Sequence, residues 1–150
     1  MIAATAAKIE DLTLNITEEI HVKAPLDVTF ETLLEQLGPL MTAAENRPMP
    51  MKIEAWPGGR WYRDLGDNNG HLWGHVQSIK KPTLLEFCGP LMMSYPVASN
   101  VQYRLSEEAG GTLIKFQHLA LGMIPEDYRK GLNEGWGSIN ARAKALAERK

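Results

Sequence analysis

The sequence predicts an α+β fold in which a meandering antiparallel sheet is covered by one long C-terminal helix, and three observations carry that expectation. Pro57-Gly58-Gly59 and Asp67-Asn68-Asn69-Gly70 are turn-forming clusters between short aromatic-rich segments, the pattern of hairpins in which glycine supplies positive φ. The segments 98–106 and 112–120 alternate: Val101, Tyr103 and Leu105 oppose Gln102 and Arg104, and Ile114, Phe116 and His118 oppose Lys115 and Gln117. After Pro125-Glu126-Asp127 the chain has no further proline, and Leu132, Trp136, Ile139, Ala143, Leu146 and Ala147 recur on one helical face. Gly131, Gly135 and Gly137 weaken that helix in its first half, so its order must come from the sheet it lies on.

The elements follow in order. Leu12, Leu14, Ile16, Ile20 and Val22 share one parity with polar residues between them, which makes 12–22 a half-buried strand ended at Pro25. From Leu26 the spacing of Val28, Phe30, Leu33, Leu34 and Leu37 is helical, up to Gly38-Pro39. A short second helix over 40–47 precedes Pro48-Met49-Pro50. Strands are then expected at 51–55, 60–65, 71–79 and 84–87, the last after the Lys80-Lys81-Pro82 turn. Residues 88–96, with two prolines and Met92-Met93, read as an irregular link or mobile rim. The alternating strands 98–106 and 112–120 complete the sheet.

At 150 residues the chain supports one core that buries roughly two-thirds of its unfolded surface. Residues 1–11 read as a flexible leader and 12–150 as a single domain. Sixteen basic residues against 18 acidic ones, with no block of either sign, leave no electrostatic grip for nucleic acid or anionic lipid. The single cysteine, Cys88, makes no internal disulfide, and a cytoplasmic setting fits. No apolar run reaches the length of a membrane span. Gly58-Gly59 lacks the residues of a phosphate loop, and no cofactor is expected.

Several motifs stand in an order that resembles a known superfamily: Val22-Lys23-Ala24-Pro25, Pro57-Gly58-Gly59-Arg60, Trp73-Gly74-His75-Val76, Pro82 before Leu84-Leu85-Glu86-Phe87, Gly110-Gly111-Thr112 leading to Gln117-His118, and Gly135-Trp136. From about Thr13 to Leu146 the chain is similar to the SRPBCC (START-like) superfamily, within it to the branch named after activators of the heat-shock protein 90 ATPase. The resemblance implies a helix-grip fold: a curved seven-stranded antiparallel sheet around the long C-terminal helix, one or two short helices after the first strand, and a cavity for apolar ligands. Members bind lipids, polyketides or hormones, and some cyclise polyketides. The additional N-terminal domain of the eukaryotic co-chaperones has no counterpart in this sequence.

The residues expected around that cavity are Trp61, Trp73, Phe87, Met92, Tyr103, Phe116, His118, Trp136 and Asn140. His118 shares a strand face with Ile114 and Phe116. It either meets a ligand, as hydrogen-bond donor or as acid or base, or is a core or rim histidine bonded to backbone or water. No serine or cysteine partner follows from spacing, so no triad is supported. Asn140, one turn beyond Trp136, either bonds a ligand or sits at a wet flank. The aromatic set is read as core, part of it left uncovered where Met92-Met93 forms an adaptable rim. His71 and His75 flank Trp73 on one parity but lack a third metal ligand, and which face of 71–79 points inward stays open. Glu54, Arg60, Arg63 and Glu86 read as solvated strand faces.

Three functions are compatible with this reading. The first is binding of a small hydrophobic or aromatic ligand between sheet and helix. The second is a polyketide cyclase-like or hydrolase-like enzyme using His118. The third is a protein-interaction module related to chaperone regulation. A homodimer through a sheet or helix surface is allowed but not demanded.

Overall fold

A computed structural model describes residues 8–150. Seven strands, β1 (Thr13–Val22), β2 (Lys52–Ile53), β3 (Arg60–Gly66), β4 (Asn69–Lys80), β5 (Leu84–Gly89), β6 (Val97–Glu108) and β7 (Gly111–Gly122), form one sheet in the order β1-β7-β6-β5-β4-β3-β2. Every neighbouring pair is antiparallel. Helix α1 (Leu26–Leu37) follows β1, and α2 (Glu126–Glu148) closes the described chain. This is the helix-grip arrangement, and between α1 and β2 the expected second helix is reduced to a 3-10 turn at Ala44–Asn46, bracketed by an antiparallel bridge between Thr42 and Pro48. Of the expected leader, Ile9–Leu12 contributes a 3-10 turn held from α2, where the Arg129 guanidinium donates to the carbonyls of Asp11 and Thr13. Residues 1–7 lie outside the described residues.

Alternation places the core where the sequence says it must lie. On β1, Leu14, Ile16, Ile20 and Val22 are buried. Register then sets inward side chains side by side across four strands: Leu85, Tyr103, Phe116 and Glu18 form one row, and Phe87, Val101, His118 and Ile16 the next. Helix α2 lies on these rows with Leu132, Trp136, Ile139, Asn140, Ala143 and Ala147 buried. The matching of a 3.6-residue stripe to a two-residue alternation is what creates one shared apolar layer.

Strand β4 breaks the alternation. Trp61 pairs with Gly74 but Tyr62 pairs with Leu72, so Trp73 is an extra residue in a bulge. The bulge turns Trp73 inward on one parity and Val76 inward on the other; both are buried, whereas His71 and His75 are exposed. Gly74 and Gly89 permit this: a Cβ on Gly74 would lie 2.3 Å from the Cys88 carbonyl oxygen, and one on Gly89 would lie 2.5 Å from that of Trp73. Glu86 corrects the reading of a solvated face, since it is buried on β5 and accepts a hydrogen bond from Gln102, its partner across β6.

Trp61 joins this end of the sheet to α1. Its ring stacks on Phe87 at 4.3 Å and meets Trp73 edge-on at 5.2 Å, while its Nε1–H donates to the Leu37 carbonyl at 2.9 Å. That carbonyl belongs to the last turn of α1, whose oxygens have no helical partner. Replacing Trp61 by Phe removes both the donor and part of the ring. The Trp61→Phe protein should be destabilised by about 2 kcal/mol, read as a lower urea midpoint at unchanged slope.

Candidate functional site

Two features along α2 bear on function: a largely buried polar seam between the helix and the sheet, and an open apolar groove between the first half of the helix and Met92 of the β5–β6 link, to which no strand residue contributes. The seam begins at His118, which has no solvent exposure. Trp136 Nε1–H donates to His118 Nδ1 at 3.0 Å, and His118 Nε2 lies 2.9 Å from Ser99 Oγ. An indole nitrogen only donates, so Nδ1 must accept, and the neutral ring carries its hydrogen on Nε2, donating to Ser99. Such a ring cannot take a proton from Ser99 at Nε2. A second proton at Nδ1 would meet the indole N–H head-on. Burial pushes the imidazole pKa down from its ordinary value to about 4.

One helical turn on, Tyr103 donates through its hydroxyl to Asn140 Oδ1 at 2.8 Å, and Asn140 Nδ2 donates to Glu18 Oε2 at 3.3 Å. Burial, and after it the negative charge of Glu18, hold the Tyr103 phenol well above its usual pKa. Ser99 and Glu18 were not among the residues expected here. Both signals were present: Glu18 shares the parity of Leu14, Ile16, Ile20 and Val22, and Ser99 that of Val101 and Tyr103.

The groove has a volume of about 300 Å³ and is lined by Met92, Tyr128, Gly131, Leu132, Gly135, Trp136 and Ile139, with Asp127 at its lip. On α2 these positions recur every three or four residues, so they form one face. A Cβ built on Gly131 or Gly135 would meet nothing within 4 Å. These glycines are therefore not required by packing; they leave room. Over the groove, the Tyr128 hydroxyl donates to the Met92 carbonyl at 3.3 Å, and Tyr95 meets the Tyr128 ring edge-on at 5.5 Å.

The residues predicted for a cavity divide into three groups. Met92 and Trp136 line the groove. Tyr103, Phe116, His118 and Asn140 are packed beneath α2, with Phe116 4.9 Å from both the Tyr103 and Trp136 rings. Trp61, Trp73 and Phe87 form the cluster that ends α1. The space expected around His118 is taken up by these side chains, and open volume lies on the far side of Trp136. Among the described residues no group of three His, Cys, Asp or Glu is placed to hold a metal ion. None of their helices is long and apolar enough to cross a membrane.

No protein-family model matches the chain, and no curated protein matches it. Solved structures do. An uncharacterised protein from Rhizobium leguminosarum superposes with a TM-score of 0.70 at 18% identity, covering 92% of this chain and 96% of that one. Ara h 8.0201 superposes with a TM-score of 0.68 at 12% identity, over 92% of this chain and 99% of its own. The di-domain ARO/CYC protein StfQ from the steffimycin biosynthetic pathway gives 0.64 at 15% identity, over 94% of this chain and 52% of its own. At such identities the likeness establishes the helix-grip fold and no more.

Because His118 titrates near 4 when folded and near 6.5 when unfolded, the unfolded chain takes up the proton first. Its contribution to stability is complete above pH 6.5, is lost as the pH falls from 6.5 to 4, and is absent below. The loss amounts to roughly 3 kcal/mol. A His118→Gln variant, which keeps hydrogen-bonding capacity but does not titrate, should lack that part of the slope when urea unfolding is compared at pH 7 and pH 4.5.

Proposed function

We propose that this chain binds a small, largely apolar ligand in the groove beside the first half of α2. The observation that carries the reading is the pair Gly131 and Gly135. Each costs helix stability of roughly 0.5–1 kcal/mol relative to Ala, neither is needed to avoid a clash, and together they floor an apolar hollow. A volume of about 300 Å³ lies at the lower end of small-molecule sites, which suits a one- or two-ring compound or a short chain. Met92 offers a deformable side chain at the rim, and Trp136 a flat aromatic wall. Sequestration, transport or sensing would follow from binding alone.

The fold shared with Ara h 8.0201 and StfQ is compatible with this reading and does not choose the ligand. Placement in the branch of heat-shock protein 90 ATPase activators, and a cytoplasmic setting, rest on the sequence motifs and the lone cysteine. The cyclase-like or hydrolase-like alternative would need His118 to reach a substrate, and that ring lies behind Trp136 with its basic nitrogen already occupied. The groove is complete within one chain, so binding does not require a homodimer.

The test uses the neutral fluorophore N-phenyl-1-naphthylamine, alongside native mass spectrometry of freshly purified protein for a co-purifying molecule. Gly131→Ala, Gly135→Ala and Gly137→Ala should each stabilise the protein by roughly 0.5–1 kcal/mol. Only the first two should weaken probe binding, because Gly137 does not line the groove, and Gly135→Leu should abolish it. A wild-type protein that binds no apolar probe and carries no small molecule, or equal binding by Gly135→Leu, would overturn the reading.

A further inference from the structure

We propose a second binding site, separate from the α2 groove, in the cleft between the β3–β4 hairpin and segment 90–96, and that it takes a small carboxylate with an apolar body. The two sites share only Met92, and this one does not depend on the first. Its volume is about 500 Å³, and Met49, Leu72, Trp73, Leu91 and Met93 supply apolar walls. The charged or titratable groups lining it are Arg63 and His71. They are Cα partners across β3 and β4, so register sets the two side chains next to each other on one face.

Arg63, unlike its hairpin neighbours Arg60 and Asp64, lacks a partner. Arg60 donates twice to Glu54 at 2.8 Å and lies over the Tyr62 ring at 4.5 Å. Asp64, the carboxylate next to Arg63 in the chain, accepts from Lys52 at 2.8 Å and from the Gly66 amide at 2.9 Å. Among the described residues Arg63 makes neither an ion pair nor a side-chain hydrogen bond, although it is half-buried. A guanidinium held against apolar walls without a counter-charge favours an incoming anion, and its planar fork fits a carboxylate through two parallel hydrogen bonds. His71 adds a ring nitrogen at the same wall. One fixed cation among apolar side chains suits a single negative charge on a hydrophobic body, not a polyanion.

Isothermal titration of the full chain with octanoate and with octan-1-ol separates the charge from the apolar body. Octanoate should bind at least ten-fold more tightly than the alcohol, Arg63→Gln should erase the difference, and Arg63→Lys should restore part of it. Gly135→Leu, which fills the α2 groove, should leave the Arg63-dependent preference for octanoate over octan-1-ol unchanged. In the unmutated protein, methionine-methyl NMR should show octanoate shifting Met49 and Met93 but not Met123, which locates the site without relying on a variant's fold. Equal affinities for acid and alcohol, an undiminished preference for the acid in Arg63→Gln, loss of that preference in Gly135→Leu, or unmoved Met49 and Met93 signals would each overturn the proposal.

Discussion

The structure depends on how α2 is fastened to the sheet, and the fastening is polar. Apolar burial is non-directional and by itself would let the helix slide or rotate on the curved surface. Two hydrogen-bond chains, buried except at the half-exposed Glu18, prevent this: Trp136 to His118 to Ser99, and Tyr103 to Asn140 to Glu18. Trp136 and Asn140 are four residues apart, about 6 Å along a helix, and His118 and Phe116 two residues apart, about 6.6 Å along a strand. Both chains can therefore form at once in only one register. Sliding the helix by a turn would leave an indole N–H, a phenol and an amide unpaired in a dry interior, at a cost of several kcal/mol.

The same fastening explains why the histidine is inert as a base. Holding Nδ1 against an indole donor fixes the tautomer, and the fixed tautomer turns the serine into an acceptor. A catalytic pairing would need the opposite polarity, with a carboxylate where the indole stands. Here the imidazole is a structural acceptor-donor bridge, and the aromatic rings of Phe116 and Trp136 keep water from it.

Much of the fold was legible because β1, β6, β7 and α2 obey simple periods. Trp136, Tyr103 and Phe116 fall inside for that reason alone, and His118 and Asn140 follow from the same count. Parity failed on β4, where the Trp73 bulge reverses it midway; its trace in the sequence is a glycine beside the tryptophan and another at the end of the facing strand, a pairing too common to locate a bulge. Glu86 was read by charge as a solvated residue, and Glu18 was passed over among the polar residues of its strand. Glu18 occupies an inward position and Glu86 an outward one, yet both lose water to neighbours, because curvature and long facing side chains cover more than one face of a sheet. What lies open was the least legible of all, since a groove is the absence of side chains, and only Gly131 and Gly135 record it.

Those glycines show how a filled core and a binding surface coexist in a chain of this size. With nearly every large inward side chain already in contact, a ligand chamber at the centre would remove apolar contacts that a single small core cannot spare. Displacing the open volume to the flank of α2 leaves the rows of β5, β6 and β7 intact. The helix is thinned where it borders solvent and kept full where it is fastened: glycines at 131 and 135, then Trp136, Ile139, Asn140 and Ala143 against the sheet. Trp136 stands at the boundary, one side of its indole bonded into the seam and the other forming a wall of the groove. The residue that locks the helix in place is thereby also the one that a groove ligand would touch, so the position of that wall is as rigid as the fold itself.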